Sequence, residues 1–175
     1  RRVRDLLVSF SWGFSTASST LVGQELGGGD ETEAAAYGGA IVRLSFIVHF
    51  AAGAAVFLTA PWIARLFVSQ PGELAQAAVF VRVSAVTAVL LGANGALVGA
   101  LRGAGDTRWP FVATVVGQYA VALPVAAAGL VSPLGVAGLY GALVLGAGVP
   151  ALINVWRYRT GEWKVVSREY RPKSH

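Results

Sequence analysis

The chain contains no cysteine and no methionine, only two histidines, and few charged residues. The absence of cysteine excludes disulfide bonds, thiolate metal ligands and a cysteine nucleophile. Two histidines are too few for a histidine-based metal site. Charged residues make up 13% of the 175 residues, about half of the roughly 25% in an ordinary soluble domain. No nucleophile, acid pair or metal cluster stands at catalytic spacing, so the sequence does not predict an enzyme.

Hydrophobic residues dominate instead, at 55% of the chain, and there are 22 glycines. Small residues are favoured where membrane helices pack closely, and a span needs about 20 apolar residues. The apolar runs predict an all-α integral membrane protein with about five spans, at roughly residues 6–26, 34–64, 74–101, 109–131 and 136–156. We expect residues 1–157 to form one transmembrane helical lobe and residues 158–175 to form a basic tail.

Positive charge is concentrated at the end of the chain. Residues 157–175 carry six Lys and Arg against two Glu, which is +4 of the total formal charge of +5. An odd number of spans places the two ends of the chain on opposite sides of the membrane. The positive-inside rule then predicts a multi-pass protein of the cell membrane with a cytoplasmic tail. No recognisable nucleic-acid-binding fold accompanies the basic residues, so no nucleic-acid partner is expected.

A ten-residue phrase occurs twice at boundaries between apolar runs. Residues 21–30 and 97–106 align without a gap and share six of ten positions, Leu, Val, Gly, Gly, Gly and Asp. Glycine suits the left-handed end of a helix and aspartate the start of the next one, so both aspartates are predicted to be helix caps. A sharper interpretation is that the tight turns let neighbouring helices move as rigid bodies. The candidate residues of these turns are Gly23, Gln24, Gly27, Asp30, Arg102, Gly103, Gly105 and Asp106.

Arg102 has two possible partners in these turns. It could form an ion pair with Asp106 in its own turn or with Asp30 in the other turn. The duplication of the phrase motivates this hypothesis. In addition, Gly95, Gly99 and Gly103 recur every four residues, which predicts a smooth helix stripe that another helix can approach closely.

Few polar residues interrupt the spans. A buried amide usually links helices by hydrogen bonds, and Asn94 and Gln118 are in addition possible cavity-lining residues. Pro124 and Pro150 each remove a helix hydrogen bond and are possible kinks. The ionisable residues inside the spans are predicted to be structural: Arg82 by snorkelling to the interface and His49 by hydrogen bonding.

Three stretches resemble motifs of the multidrug and toxic compound extrusion (MATE) transporters. They are residues 14–30 with Glu33 and Ala34, residues 99–108, and Trp156-Arg157-Tyr158 followed by Gly161-Glu162-Trp163. The resemblance implies a fold of twelve helices in two six-helix lobes. By the order of its motifs, the chain resembles helices eight to twelve, most of the second lobe. Since it begins at Arg1 and has no methionine, we expect it to be a piece of a longer protein.

The resemblance also implies a function. The family exports mostly cationic, amphipathic organic compounds in exchange for Na⁺ or H⁺, so the expected partners are such substrates, the lipid bilayer and the missing N-terminal lobe. Some members carry an aspartate where this chain has Leu91. The resemblance therefore implies that the coupling-ion site lies in the absent N-terminal lobe, and no cofactor or bound metal is expected. Two alternatives remain open: a lipid-linked oligosaccharide flippase of related architecture, and a truncated membrane fragment that does not transport.

Overall fold

The protein consists of helices joined by short turns. A computed structural model describes residues 2–169, and for residues 2–11 and residue 71 it describes the backbone alone. The part of the chain that it describes contains no β-strand, which confirms the predicted all-α fold. The helices are α1 (Arg2–Gly28), α2 (Glu31–Arg65), α3 (Pro71–Gly103), α4 (Arg108–Val131), α5 (Val136–Thr160) and α6 (Glu162–Glu169).

Among the described residues, four helices, α2 to α5, are long and apolar enough to cross a membrane. A helix can cross because it satisfies its backbone hydrogen bonds within the segment, where lipid offers no partner. The chain is therefore a multi-pass membrane protein. The first predicted span, residues 6–26, lies within α1, which is not one of the four; its crossing remains a prediction, as do the membrane boundaries of the other spans.

Helix α3 is the centre of the bundle, since it packs against α1, α2 and α5, while α4 packs mainly against α5. The glycine stripe explains how closely α1 approaches. A Cβ atom on Gly99 would collide with the backbone of Ser15, and one on Gly103 would collide with the backbone of Ser19. On α1, a Cβ atom on Gly23 would in turn lie 3.2 Å from the Gly103 carbonyl oxygen. The two helices thus meet backbone to backbone, as the stripe predicts.

The repeated phrase forms the same backbone turn twice, at the ends of α1 and α3. Gly29 and Gly105 both have left-handed backbones, with φ of 95° and 82°. In each turn the glycine N–H donates to the carbonyl three residues back, and the next N–H, of Asp30 or Asp106, donates to the carbonyl five residues back, over 2.9–3.2 Å. This is the Schellman arrangement, which satisfies the last carbonyls of a helix. The predicted glycine caps are confirmed. We name this end of the bundle the corner end.

The two aspartates that follow these glycines have different roles. The Asp30 carboxylate accepts hydrogen bonds from the N–H groups of Thr32 at 3.0 Å and Glu33 at 2.9 Å, so it caps α2 as predicted. The prediction that Asp106 caps the next helix is wrong. Helix α4 has Thr107 as its N-cap, with no side-chain capping bond, because the Asp106 carboxylate is held in a buried ion pair on α5.

Helical structure continues into the predicted tail. Helix α5 runs to Thr160, and Gly161 then ends it with a left-handed backbone, φ 73°. This turn lets α6 fold back, and Trp163 on α6 is 1% exposed. Its partners form an apolar cluster at the corner end, Val22, Leu26, Ala34, Ala100, Leu101 and Ala104. This helix was not predicted from the sequence, because only the basic residues of the segment were considered. The residue that anchors the helix is the buried Trp163.

Candidate functional site

The corner end is held together by an ion cluster around Arg157. The Arg157 Nε donates to the Asp106 carboxylate at 2.7 Å, and both side chains are almost fully buried. Its Nη1 pairs with Glu162 at the start of α6. The guanidinium also lies over the ring of Trp109, with Cζ 5.3 Å from the ring centroid. Arg157 thus connects the turn before α4, the end of α5 and the start of α6.

A second set of contacts attaches α5 and α6 to α1 and α2. The rings of Tyr158 and Trp163 stack with centroids 5.3 Å apart, and the indole N–H donates to the Tyr158 carbonyl at 2.9 Å. The Tyr158 hydroxyl donates to the Ala35 carbonyl at 3.1 Å. Arg168 donates two hydrogen bonds to the Glu31 carboxylate, at 2.6 and 2.8 Å. These bonds, with the charge of Glu31, raise the pKa of the Arg168 guanidinium. The corner end is therefore a cross-linked unit.

Farther from the corner end, α3, α4 and α5 line a partly open cavity of about 630 Å³. This volume lies in the range of small-molecule sites, roughly 300–1,000 Å³. Its wall is apolar apart from Thr87, Gln118 and Tyr140, and it contains no carboxylate or cationic side chain. The rings of Phe80 and Tyr140 lie 6.3 Å apart within it. Such a wall suits an apolar or aromatic molecule with few hydrogen-bonding groups.

Gln118 on this wall donates a hydrogen bond to a backbone carbonyl of α5. That carbonyl has no helical N–H donor because of Pro150. Pro150 has no N–H, so the carbonyl four residues earlier, on Gly146, loses its usual donor. The Gln118 Nε2 donates to that Gly146 oxygen at 3.1 Å. Gln118 lies in a π-helical segment of α4, Val116–Ala122, and Pro150 packs directly against Gly117 of that segment. The π-helical segment and Pro150 are therefore in contact across α4 and α5.

Asn94, the second residue predicted to line a cavity, forms a hydrogen bond between two helices instead. Its Oδ1 accepts from the Nδ2 of Asn154 on α5 at 2.9 Å. Asn94 is not among the residues that line the cavity of α3, α4 and α5. The pair joins α3 to α5, the usual role of buried amides in membrane bundles.

His49 has the structural surroundings that the sequence predicts. Its Nδ1 lies 2.7 Å from the Ser45 carbonyl, which can only accept, so Nδ1 carries the proton. The Ser45 hydroxyl donates to the Gly92 carbonyl of α3 at 3.0 Å. A Cβ atom on Gly92 would overlap the imidazole ring. His49 thus fills a space that glycine leaves between α2 and α3.

The structure brings some of the predicted turn residues together and leaves others apart. Gly23 and Gly103 face each other across α1 and α3, whereas Gln24 is exposed and Gly27 has no packing neighbour at its Cβ position. The hypothesis that Arg102 pairs with an aspartate of the turns is not borne out. Asp30 bonds to backbone amides and Asp106 to Arg157.

Arg102 instead lines an open groove of about 450 Å³ between α1 and α3. Arg157 was counted with the basic residues at the end of the chain, but its side chain is buried at the corner end. The described residues contain no group of three or more His, Asp or Glu side chains that could hold a metal ion.

Comparison with known proteins gives one consistent result. The MatE family model matches residues 2–151. The chain is 30% identical over 162 residues to a protein of Rhodopseudomonas palustris described as "Probable multidrug resistance protein NorM", covering 90% of this chain and 34% of that protein. The chain thus spans about a third of the length of this relative.

A solved structure has the same fold. The crystal structure of the eukaryotic MATE transporter AtDTX14 matches with a TM-score of 0.81 and 20% sequence identity, over 95% of this chain and 39% of that one. At this identity the likeness concerns the fold alone.

The two aspartates of the repeated turn offer a matched test of the corner end. Removing one partner of a buried ion pair costs about 3–5 kcal/mol, whereas loss of an N-cap side chain costs about 1 kcal/mol. We expect Asp106→Ala to lower the free energy of unfolding in detergent several times more than Asp30→Ala does. Equal losses in the two variants, measured by denaturant titration of helicity, would show that the Arg157 pair does not stabilise the corner end.

The role of Gln118 can be tested by a double-mutant cycle with Pro150. Gln118→Leu should cost about 1 kcal/mol, since it leaves the Gly146 carbonyl without a donor. In the Pro150→Ala background the residue at 150 regains its N–H and can serve that carbonyl. The cost of Gln118→Leu should therefore largely disappear there. An unchanged cost in both backgrounds, measured as the free energy of unfolding, would contradict this role.

Proposed function

The chain belongs to the multidrug and toxic compound extrusion family, and from that premise we propose that it forms most of one lobe of an ion-coupled exporter. The observation that carries the proposal is the cavity between α3, α4 and α5, which is large enough for a small organic molecule and is lined by apolar and aromatic side chains. The proposed substrates are amphipathic organic cations. Their apolar parts would contact this wall, and a cationic group can lie favourably against rings such as those of Phe80 and Tyr140.

We place the proposed lobe second in a two-lobe transporter, so that this chain supplies its C-terminal portion. The order of the glycine turns and the tryptophan-containing end supports this position. In the transporter the cross-linked corner end would let the lobe move as one body while the cavity opens and closes. Residues 2–169 contain no carboxylate on the cavity wall, and Leu91 lies on that wall instead. The coupling ion, Na⁺ or H⁺, would therefore bind in the first lobe.

The transport proposal is tested by narrowing the cavity in the full-length transporter. Ala126 lines the cavity, while Ala128, two residues away on α4, is exposed and is not among the lining residues. We expect Ala126→Trp to lower export of a fluorescent organic cation from membrane vesicles by roughly tenfold, which corresponds to about 1.4 kcal/mol. Ala128→Trp serves as the matched control and should export normally.

Imposed Na⁺ and H⁺ gradients, applied separately, identify the coupling ion in the same assay. Unchanged export by Ala126→Trp would exclude the cavity from the substrate path. Absence of cation export by the unmodified transporter, with flipping of a lipid-linked oligosaccharide instead, would favour the flippase. Absence of both activities would favour a fragment that does not transport.

We also propose that the corner end and the segment after α5 face the cytoplasm, because Arg102, Arg108 and the basic residues of α6 lie at this end. A chain without cysteine suits cysteine labelling. An impermeant maleimide should label Ser69→Cys, at the turn between α2 and α3, in intact cells. Thr107→Cys, in the turn before α4, should react only after the cells are made permeable. Both positions are exposed. The opposite pattern of labelling would show that the corner end faces the outside of the cell.

A further inference from the structure

The outer surface of the helix pair α2–α3 carries a groove that is separate from the cavity of α3, α4 and α5. It has a volume of about 430 Å³ and is lined by apolar side chains, including Phe46, Phe50 and Phe57 of α2. A Cβ atom on Gly53 would collide with the Val89 side chain, so the floor of the groove is formed where α2 and α3 approach closely. The three phenylalanines are substantially exposed. In a membrane-spanning pair, such a surface faces hydrocarbon or another apolar partner.

Arg82 lies at one end of this groove. Its Cζ is 5.5 Å from the centroid of the Phe57 ring. Its Nε is buried and has no hydrogen-bond partner among the described residues. None of the ion pairs that the structure shows within residues 2–169 involves Arg82. A guanidinium in an apolar setting without a carboxylate can bind an anion, because its N–H donors match phosphate geometry.

With α3 centred in a bilayer, the Arg82 side chain is within reach of the lipid phosphates. Helix α3 has 33 residues and is therefore about 50 Å long, whereas the hydrocarbon core is about 30 Å thick. If α3 is centred, about 10 Å extends beyond each boundary. Arg82 lies eleven residues after the start of α3, or roughly 16 Å along it, so its Cα is only about 6 Å inside the core. A long arginine side chain bridges such a depth by snorkelling.

The groove also has the length of one acyl chain. Phe57 and Phe46 are eleven residues apart on α2, which is about 16 Å along the axis and close to half of the hydrocarbon thickness of about 30 Å. Since α2 and α3 are antiparallel neighbours, the groove runs from Arg82 toward the middle of the bilayer. An acyl chain in the groove and a phosphate on Arg82 therefore belong to the same leaflet.

We propose that this groove is a binding site for one anionic phospholipid. The phosphate contacts the Arg82 guanidinium, and one acyl chain lies along Phe57, Phe50 and Phe46 toward the bilayer centre. The charge of the arginine selects an anionic headgroup over a zwitterionic one. The site lies at the end of the bundle opposite the corner end, and it does not depend on the transported substrate or on the coupling ion.

Native mass spectrometry of the full-length transporter, purified in mild detergent with added lipid, tests this proposal. Wild-type protein should retain dioleoylphosphatidylglycerol at least tenfold more strongly than dioleoylphosphatidylcholine. Arg82→Gln should abolish this preference. Arg43→Gln is the matched control, because Arg43 is an exposed arginine of the same helix pair that does not line the groove. It should retain the preference. Helicity measured by circular dichroism checks that each variant is folded.

A second variant tests the groove without changing Arg82. Ala54 lines the groove, so Ala54→Trp should fill it and weaken retention of the long-chain lipid by about tenfold, while short-chain dihexanoylphosphatidylglycerol still binds. Three results would each overturn the proposal: equal retention of the two headgroups by wild type, an unchanged preference in Arg82→Gln, or no effect of Ala54→Trp on the long-chain lipid. Inorganic phosphate binding with the affinity of the phospholipid would likewise rule out a role for the groove.

Discussion

The need to satisfy backbone polar groups where lipid supplies no hydrogen bonds governs this structure. It explains why the described residues fold almost entirely into helices. At the ends of α1 and α3, the two glycine turns satisfy the last carbonyls of each helix with the amides that follow it. The same requirement acts in the interior, where proline removes a donor from α5 and a glutamine of α4 replaces it. The positions of several polar residues follow from this single constraint.

The repeated phrase shows how far sequence reasoning extends. Its glycine caps could be predicted, because a left-handed helix end depends on a few adjacent residues and glycine adopts it without strain. The roles of the two aspartates could not. Asp30 bonds to amides two and three residues away, whereas Asp106 bonds to Arg157, 51 residues away. The shared glycine–aspartate pattern therefore does not decide between a helix cap and an ion pair, and the buried Arg157 makes that choice at Asp106.

The candidate site was predictable in part for the same reason. Composition identified the few amides in the spans, and the proline at 150 marked the carbonyl of Gly146 as one that needs a donor. The sequence does not show how α4 and α3 approach α5. The approach of α4 brings Gln118 to this carbonyl, and the approach of α3 brings Asn94 to Asn154. Arg157 was missed because counting charges treats every arginine near a span as solvated. A buried carboxylate and an indole ring surround it.

The position of Trp163 in the sequence determines when the corner end can fold during synthesis. It completes an apolar cluster whose other members lie on α1 and α2 and at the end of α3, yet it is synthesised after α1 to α5. While the ribosome is still making α4 and α5, the cluster around Val22 and Leu101 lacks its largest side chain. The corner end can therefore close only after α6 has been made. A nascent chain that stops before residue 163 keeps an open apolar surface there, of the kind that chaperones and membrane proteases recognise.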